Sequence, residues 1–367
     1  MTPFRITAIT FFLFASAAIA QNGIDSGRDL QIKAARAAEL GNYDDARKLY
    51  AQELNLLLAN GKHAEAGDIY LRLGEINQIN GTFQAAEAAY KKGLDLLKSS
   101  LQPNDLRLVM ALDNLGWLYV TWGKFNDGSH LLDQARTKAD SADPNDPRLI
   151  RHLDTHAAYL MVAGRYSEAQ KDWTRALEVG NKNYGPDSPK YDTILVHYGQ
   201  GSVLRGDYRV AEQMFKRYLA IENYDQSETT TAHAVAAGEL ARVYTQLHRY
   251  TEAQNWFETS TRILNQQPEQ APLIRSMILS YWGDFYMTQG DWNNAQTQYR
   301  EVLRIQERVL GENRAVASAM ISLSSALKKL HFKDEARSLI ARAKAIFSAQ
   351  RNPLEQATVD VLALRHQ

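Results

Sequence analysis

A small residue returns every 40 to 42 positions along this chain, at Ala46, Ala86, Gly128, Ala169, Ala211, Ala253, Ala295 and Ala336. Such a period constrains the fold more than composition does, because one unit of that length cannot bury its own apolar face and must stack on its neighbours. Five residues before each small position stands Gly41, Gly81, Gly123, Gly164, Gly206, His248, Gly290 or His331. Glycine suits the left-handed conformation in which helices commonly end, so this column predicts a helix break. Two residues after the break comes an aromatic, Tyr43, Phe83, Phe125, Tyr166, Tyr208, Tyr250 or Trp292, with Lys333 departing in the last unit. Four residues after the small position lie Tyr50, Tyr90, Leu132, Trp173, Phe215, Phe257, Tyr299 and Ile340, one turn further along the same helix face.

Upstream of each break runs a second small column: Ala34, Gly74, Gly116, Ala157, Gly199, Ala241, Gly283 and Ser324. Two small columns predict two helices packed closely against each other in every unit. Pro103, Pro144 with Pro147, Pro186 with Pro189, and Pro268 with Pro272 separate units, while the linkers over 224–231 and 311–315 have none. No stretch alternates with the period of a strand. The stretch from His156 to Pro189 shows the unit most completely, with Ala157, Gly164-Arg165-Tyr166, Ala169, Trp173, Ala176 and the turn Tyr184-Gly185-Pro186-Asp187-Ser188-Pro189.

These residues resemble the tetratricopeptide repeat, and the long period with turns such as Leu310-Gly311-Glu312-Asn313 is similar to the kinesin light chain type. The resemblance covers 27–350 and implies an all-α, right-handed α-solenoid of about eight antiparallel helix pairs. The segment 351–367 is expected to close it as a capping helix, and 21–26 precedes it as a short lead. In the family, the first helices line a groove that takes a peptide or helical segment of a partner. The resemblance places Asp113, Trp117 and Thr121, then Asp154, Ala158 and Met161, then Gln200, Arg242, Gln246, Asp284 and Met287 on that groove. Asn114 matches an asparagine common in the kinesin light chain type, and the other units do not repeat it.

The first twenty residues read as a secretory signal, with Arg5 as the basic start, Ile6 to Ala17 as the apolar run and Ala18-Ile19-Ala20 as the cleavage site before Gln21. Periplasmic or secreted placement in a bacterium follows as an expectation. An uncleaved membrane anchor is the alternative, although the apolar run is short for a spanning helix. The 42 basic and 42 acidic residues balance, and no run of five like charges marks a nucleic-acid binder. The absence of cysteine excludes disulfides, thiolate metal sites and cysteine nucleophiles.

His152 and His156 have the i, i+4 spacing of a metal pair, but His156 falls at an inward position and no third ligand is near, so packed, hydrogen-bonded histidines are expected and no metal. Gly199-Gln200-Gly201 before Gly206 is superficially like a phosphate-binding loop, yet it lies within an expected helix with no preceding strand. Asn80-Gly81-Thr82 is read as turn chemistry. Asp44, Asp45 and the cluster from Asp143 to Asp146 sit at helix starts and linkers, where capping explains them. No cofactor is expected. The function expected is an exported scaffold that binds a protein partner in the groove, with envelope assembly or secretion machinery as its setting. A cell-wall enzyme using groove carboxylates and a structural spacer are the competing classes.

Overall fold

The computed structural model describes residues 26–39, 42–222, 231–266 and 271–349. The expected signal at 1–20, the lead at 21–25 and the closing helix at 351–367 lie outside the described residues. Within them the chain is all-α, with sixteen α-helices in consecutive pairs and no strand. In order these are α1 (Ser26–Glu39), α2 (Tyr43–Ala59), α3 (His63–Ile79), α4 (Phe83–Ser100), α5 (Leu106–Thr121), α6 (Phe125–Ala139), α7 (Leu149–Val162) and α8 (Tyr166–Tyr184). A 3-10 turn over Pro189–Tyr191 leads to α9 (Thr193–Arg205), α10 (Tyr208–Glu222), α11 (Thr231–Gln246), α12 (Tyr250–Gln266), α13 (Pro272–Gln289), α14 (Trp292–Leu310), α15 (Arg314–Lys329) and α16 (Lys333–Ala349). They form two compact units divided at Ile194 and Leu195, inside α9.

In the first unit, each helix packs on its partner in the pair, successive pairs meet through α2 on α3, α4 on α5 and α6 on α7, and the first helices α3, α5 and α7 lie side by side. The second unit repeats this over α11 to α16, with α11 beside α13.

The break column takes the left-handed conformation that its glycines suggest, with φ of 71°, 81°, 74°, 89° and 76° at Gly81, Gly123, Gly164, Gly206 and Gly290. His248 and His331 adopt it too, at 57° and 66°, so the geometry of the turn overrides the steric penalty of a side chain. Asp105 and Asn313 cap α5 and α15 through their side chains, and Asp146 accepts from the Arg148 backbone N–H in the linker before α7. The linker carboxylates of 143–146 are thereby used in turns.

The first-helix glycines do something more specific than face a second small column. A Cβ built at Gly74 falls 2.4 Å from the Tyr90 ring, at Gly199 2.7 Å from Phe215, at Gly283 2.6 Å from Tyr299, and at Gly116 2.8 Å from Leu132. Each glycine therefore opens room for the large side chain four residues past the small position of the second helix. Gly116 and Gly128 meet glycine to glycine, each close to the other's carbonyl oxygen, as do Gly67 and Gly93.

A carboxylate interrupts one column of small and apolar residues on the second helices. Glu53 stands seven residues after Ala46, where other pairs carry Gly93, Ala135, Ala176, Ser260, Val302 or Ala343, and it is 4% exposed. Burial pushes its carboxyl up to about 7. Between the ordinary carboxylate range and that value the folded chain holds a proton that the unfolded chain has lost, so the first pair loses stability as pH rises through neutrality.

Gly199→Leu tests the packing rule. The branched side chain meets the Phe215 ring with no room to rotate away, and overpacking of this kind costs about 1 to 3 kcal/mol or more. A thermal melt of the variant is expected to begin several degrees lower, and an unchanged melt shows that the glycine is not the seat of the ring.

Candidate partner-binding face

The first helices of the first unit put three consecutive pairs into one polar network. Glu75, one residue after Gly74 on α3, accepts from Arg72 Nη1 at 3.1 Å, from Asn114 Nδ2 of α5 at 3.3 Å and from Arg151 Nη2 of α7. The same Arg151 nitrogen donates to Asn114 Oδ1 at 3.1 Å. Burial by itself raises the Glu75 pKa, but Arg151 and Arg72 outweigh it and hold the carboxyl down at about 2. A second row lies one turn along, where Tyr90 Oη donates to Gln78 Oε1 at 3.0 Å and Gln78 Nε2 donates to Thr121 Oγ1 at 3.3 Å. Trp117, between the two rows on α5, is half-buried and Thr121 is exposed.

The second unit builds the corresponding face with different charges. Glu239 of α11 accepts from Gln200 Nε2 of α9 at 3.4 Å, from Tyr281 Oη of α13 at 3.3 Å and from Arg242 Nη1 at 3.1 Å. The Arg242 guanidinium also lies 4.9 Å from the centre of the Tyr281 ring. Although burial disfavours the Arg242 charge, Glu239 and Tyr281 raise its pKa above the ordinary arginine value. Tyr208 Oη donates to Gln246 at 3.5 Å, and Tyr299 Oη donates to Asp284 at 2.5 Å. Met287 packs half-buried against the core around Ala295 and Tyr299.

One register generates both faces. The residue after the first-helix small position meets the residue two before it in the next pair, as in Glu75 with Asn114, Gln200 with Glu239, and Arg242 with Tyr281. Glu75, Arg72, Arg151, Glu239 and Tyr281 were not among the sequence-predicted residues. Glu75 was findable, because it occupies the position of Trp117, Gln200, Arg242 and Asp284 in its own pair. Arg151 was not, because it reaches Glu75 across an intervening helix.

Five of the predicted residues are buried, Asn114 within the Glu75 network and Asp113, Asp154, Ala158 and Met161 in the interior. Asp113 is 2% exposed and accepts from His152 Nδ1 at 3.0 Å, Asp154 accepts from Trp173 Nε1 at 2.9 Å, and Met161 is buried. The neighbouring helices are the reason: α7 of the next pair covers Asp113 with His152, and α8 of the same pair brings Trp173 under Asp154. His156 donates through Nδ1 to Asp172 at 2.5 Å, and Arg136 holds the other oxygen of that carboxylate at 2.9 Å. The two imidazoles stack with centroids 5.8 Å apart, each bound to its own carboxylate, which is the packed and hydrogen-bonded arrangement. His152 Nε2 meets no partner among the described residues.

Burial lowers the His152 pKa, but Asp113 more than offsets this, so the folded value lies above the ordinary imidazole value. The stabilisation is then complete below the unfolded imidazole pKa and lost as pH rises through the folded one. Asp113→Asn is expected to cost roughly 1.5 to 3 kcal/mol in acid, the range for a hydrogen bond to a charged group, and less in alkali. Melts of the two proteins across that window check it, and a constant difference at every pH removes His152 ionisation from the account.

Residues 149–223 and 274–349 match a family model described as tetratricopeptide repeat, and residues 67–96 match a second with the same description. Kinesin light chain-related protein 2 of Arabidopsis thaliana is 21% identical over 307 residues, covering 81% of this chain and 46% of that protein. Kinesin light chain-related protein 1 of the same plant is 22% identical over 375 residues, covering 88% and 60%. The chain thus spans about half the length of these curated relatives. Among solved structures, a Rap protein complexed with competence and sporulation factor superposes with TM-score 0.59 at 15% identity, covering 90% of this chain and 89% of that one. BtubC from P. vanneervenii superposes with TM-score 0.50 at 18% identity, covering 68% and 95%. These two likenesses concern the fold alone.

Proposed function

We propose that this chain, which carries tetratricopeptide repeats and is similar to kinesin light chain-related proteins, works as an exported scaffold holding an extended or helical segment of a partner protein. The observation that carries this reading is the first-helix face of α3, α5 and α7. There Trp117 stands half-buried between two hydrogen-bonded rows that join successive pairs, so an amphipathic anchor is set on a pre-organised frame. Such a frame binds with little loss of conformational freedom, and aromatic anchors carry a large share of interface energy.

The carboxylates of the two faces do not favour acid-base chemistry. Glu75 is kept ionised by two arginines and Glu239 receives three donors, whereas a general acid needs a raised pKa and an accessible proton. Export rests on the apolar run and the Ala18-Ile19-Ala20 site, and envelope assembly or secretion machinery is the setting that suits an exported scaffold. Intact-mass analysis of protein recovered outside the cytoplasm is expected to find the chain beginning at Gln21, and retention of residues 1–20 makes it an anchored protein instead.

Trp117→Ala and Trp173→Ala separate binding from folding. Capture with the mature chain, read by mass spectrometry, supplies the partner. Trp117→Ala is expected to weaken that capture by about 2 kcal/mol or more while the melt hardly moves. Trp173, buried and bonded to Asp154, is core, and its truncation is expected to cost about 3 to 5 kcal/mol of stability. Equal destabilisation by both variants sinks the assignment of Trp117 to a binding face.

A further inference from the structure

The turn that joins the last two helices inverts a pattern kept by the seven before it. After the break those seven place a polar residue and then an aromatic: Asn42-Tyr43, Thr82-Phe83, Lys124-Phe125, Arg165-Tyr166, Asp207-Tyr208, Arg249-Tyr250 and Asp291-Trp292. The eighth reads Phe332-Lys333. In the seven, the aromatic is partly buried, and Phe83 and Tyr250 reach rings of the following pair, Trp122 and Phe285. In the eighth, the ring occupies the polar slot and is 53% exposed, the second most open of the large apolar side chains among the described residues.

Its surroundings are basic. Lys328, Lys329 and Lys333 flank it in the last turn of α15 and the first of α16, all exposed and none in an ion pair with another described residue. Lys329 lies over the Trp292 ring of the preceding turn at 5.4 Å, which places a second aromatic beside the group. The adjacent carboxylates are already engaged, Asp334 with Arg337 and Glu335 with Arg300. Counting these seven charges, five basic and two acidic, leaves the turn at 5 − 2 = +3.

We propose that this turn docks the protein on an anionic phospholipid surface, with Phe332 entering the interface and Lys328, Lys329 and Lys333 facing the headgroup phosphates. The geometry favours a bilayer over an acidic protein segment. An exposed ring at the tip of a helix turn has no walls to enclose a peptide side chain, but a flat, deformable surface accepts a protruding ring. The unpaired charges are also all lysine, a mobile point charge suited to headgroups without fixed positions. Recognition of a particular carboxylate is the usual work of the arginine fork. No described helix is long and apolar enough to cross a membrane, so the contact is peripheral. With one ring and three lysines it is weak and reversible, since each lysine near an anionic surface contributes about fivefold in partitioning.

Sedimentation of the mature chain from Gln21 with vesicles tests this, using phosphatidylglycerol mixed with phosphatidylcholine against phosphatidylcholine alone, at low and high salt. Binding is expected only to the anionic vesicles and to fall with salt. Lys328→Gln combined with Lys333→Gln is expected to lower it about twentyfold or more, and Phe332→Ser several-fold, with melts close to that of the parent. A Phe332→Trp reporter is expected to shift its emission to the blue on these vesicles and to be quenched by brominated lipid. Failure to pellet with the anionic vesicles, or equal pelleting of the lysine variant, overturns the proposal. An unshifted reporter on vesicles, with tight binding of polyglutamate, overturns it in favour of an acidic protein segment.

Discussion

Everything in this molecule depends on how closely two helices approach within a pair. A missing side chain on the first helix and a large one on the second settle that distance: Tyr90 over Gly74, Leu132 over Gly116, Phe215 over Gly199 and Tyr299 over Gly283. Because the ring fills the space that a Cβ would occupy, the pair has one well-packed arrangement. Small changes of volume at such positions are felt, as they are throughout close-packed interiors. The left-handed break then returns the chain at once, even where His248 and His331 must adopt it in place of glycine.

With the pair closed in this way, the first helices of a unit lie next to each other and their side chains meet in a constant register. What each unit does with that register differs. The first places Glu75 between Arg72 and Arg151, leaving one positive charge in excess on its face. The second balances Glu239 against Arg242 and completes it with Gln200 and Tyr281. Breaking such a partly buried pair leaves a charge without its counter-ion, so these networks hold the faces in one conformation. They also keep Glu75 and Glu239 hydrogen-bonded from neighbouring helices.

The interior charges follow a different rule. Asp113, Asp154, Asp172, His152 and His156 are all buried in the first unit, and every carboxylate among them accepts from a histidine or a tryptophan. Arg136 adds the compensating cation on Asp172. These carboxylates are tolerated because each accepts a hydrogen bond, and the bonds couple one pair to the next, α5 to α7 through His152, and the two helices of one pair, α7 to α8 through His156 and Trp173.

The helix pairs, their breaks, their core columns and the resemblance to the tetratricopeptide repeat were determined by the sequence alone, because each depends on residues within one unit whose spacing repeats. A glycine at a left-handed position and a ring one turn past an alanine are local requirements, and eight copies make them legible. Only the tertiary structure decided which residues of the first helices are reachable. Asp113 and Asp154 share helices with Trp117 and Met161 and look alike in register, yet His152 and Trp173, contributed by other helices, draw the two carboxylates inward. Arg151 joins Glu75 from two pairs away, a contact that no spacing encodes. Burial and charge pairing are sums over neighbours brought in by packing, and a repeat pattern fixes where those neighbours stand without saying which chemistry each will carry.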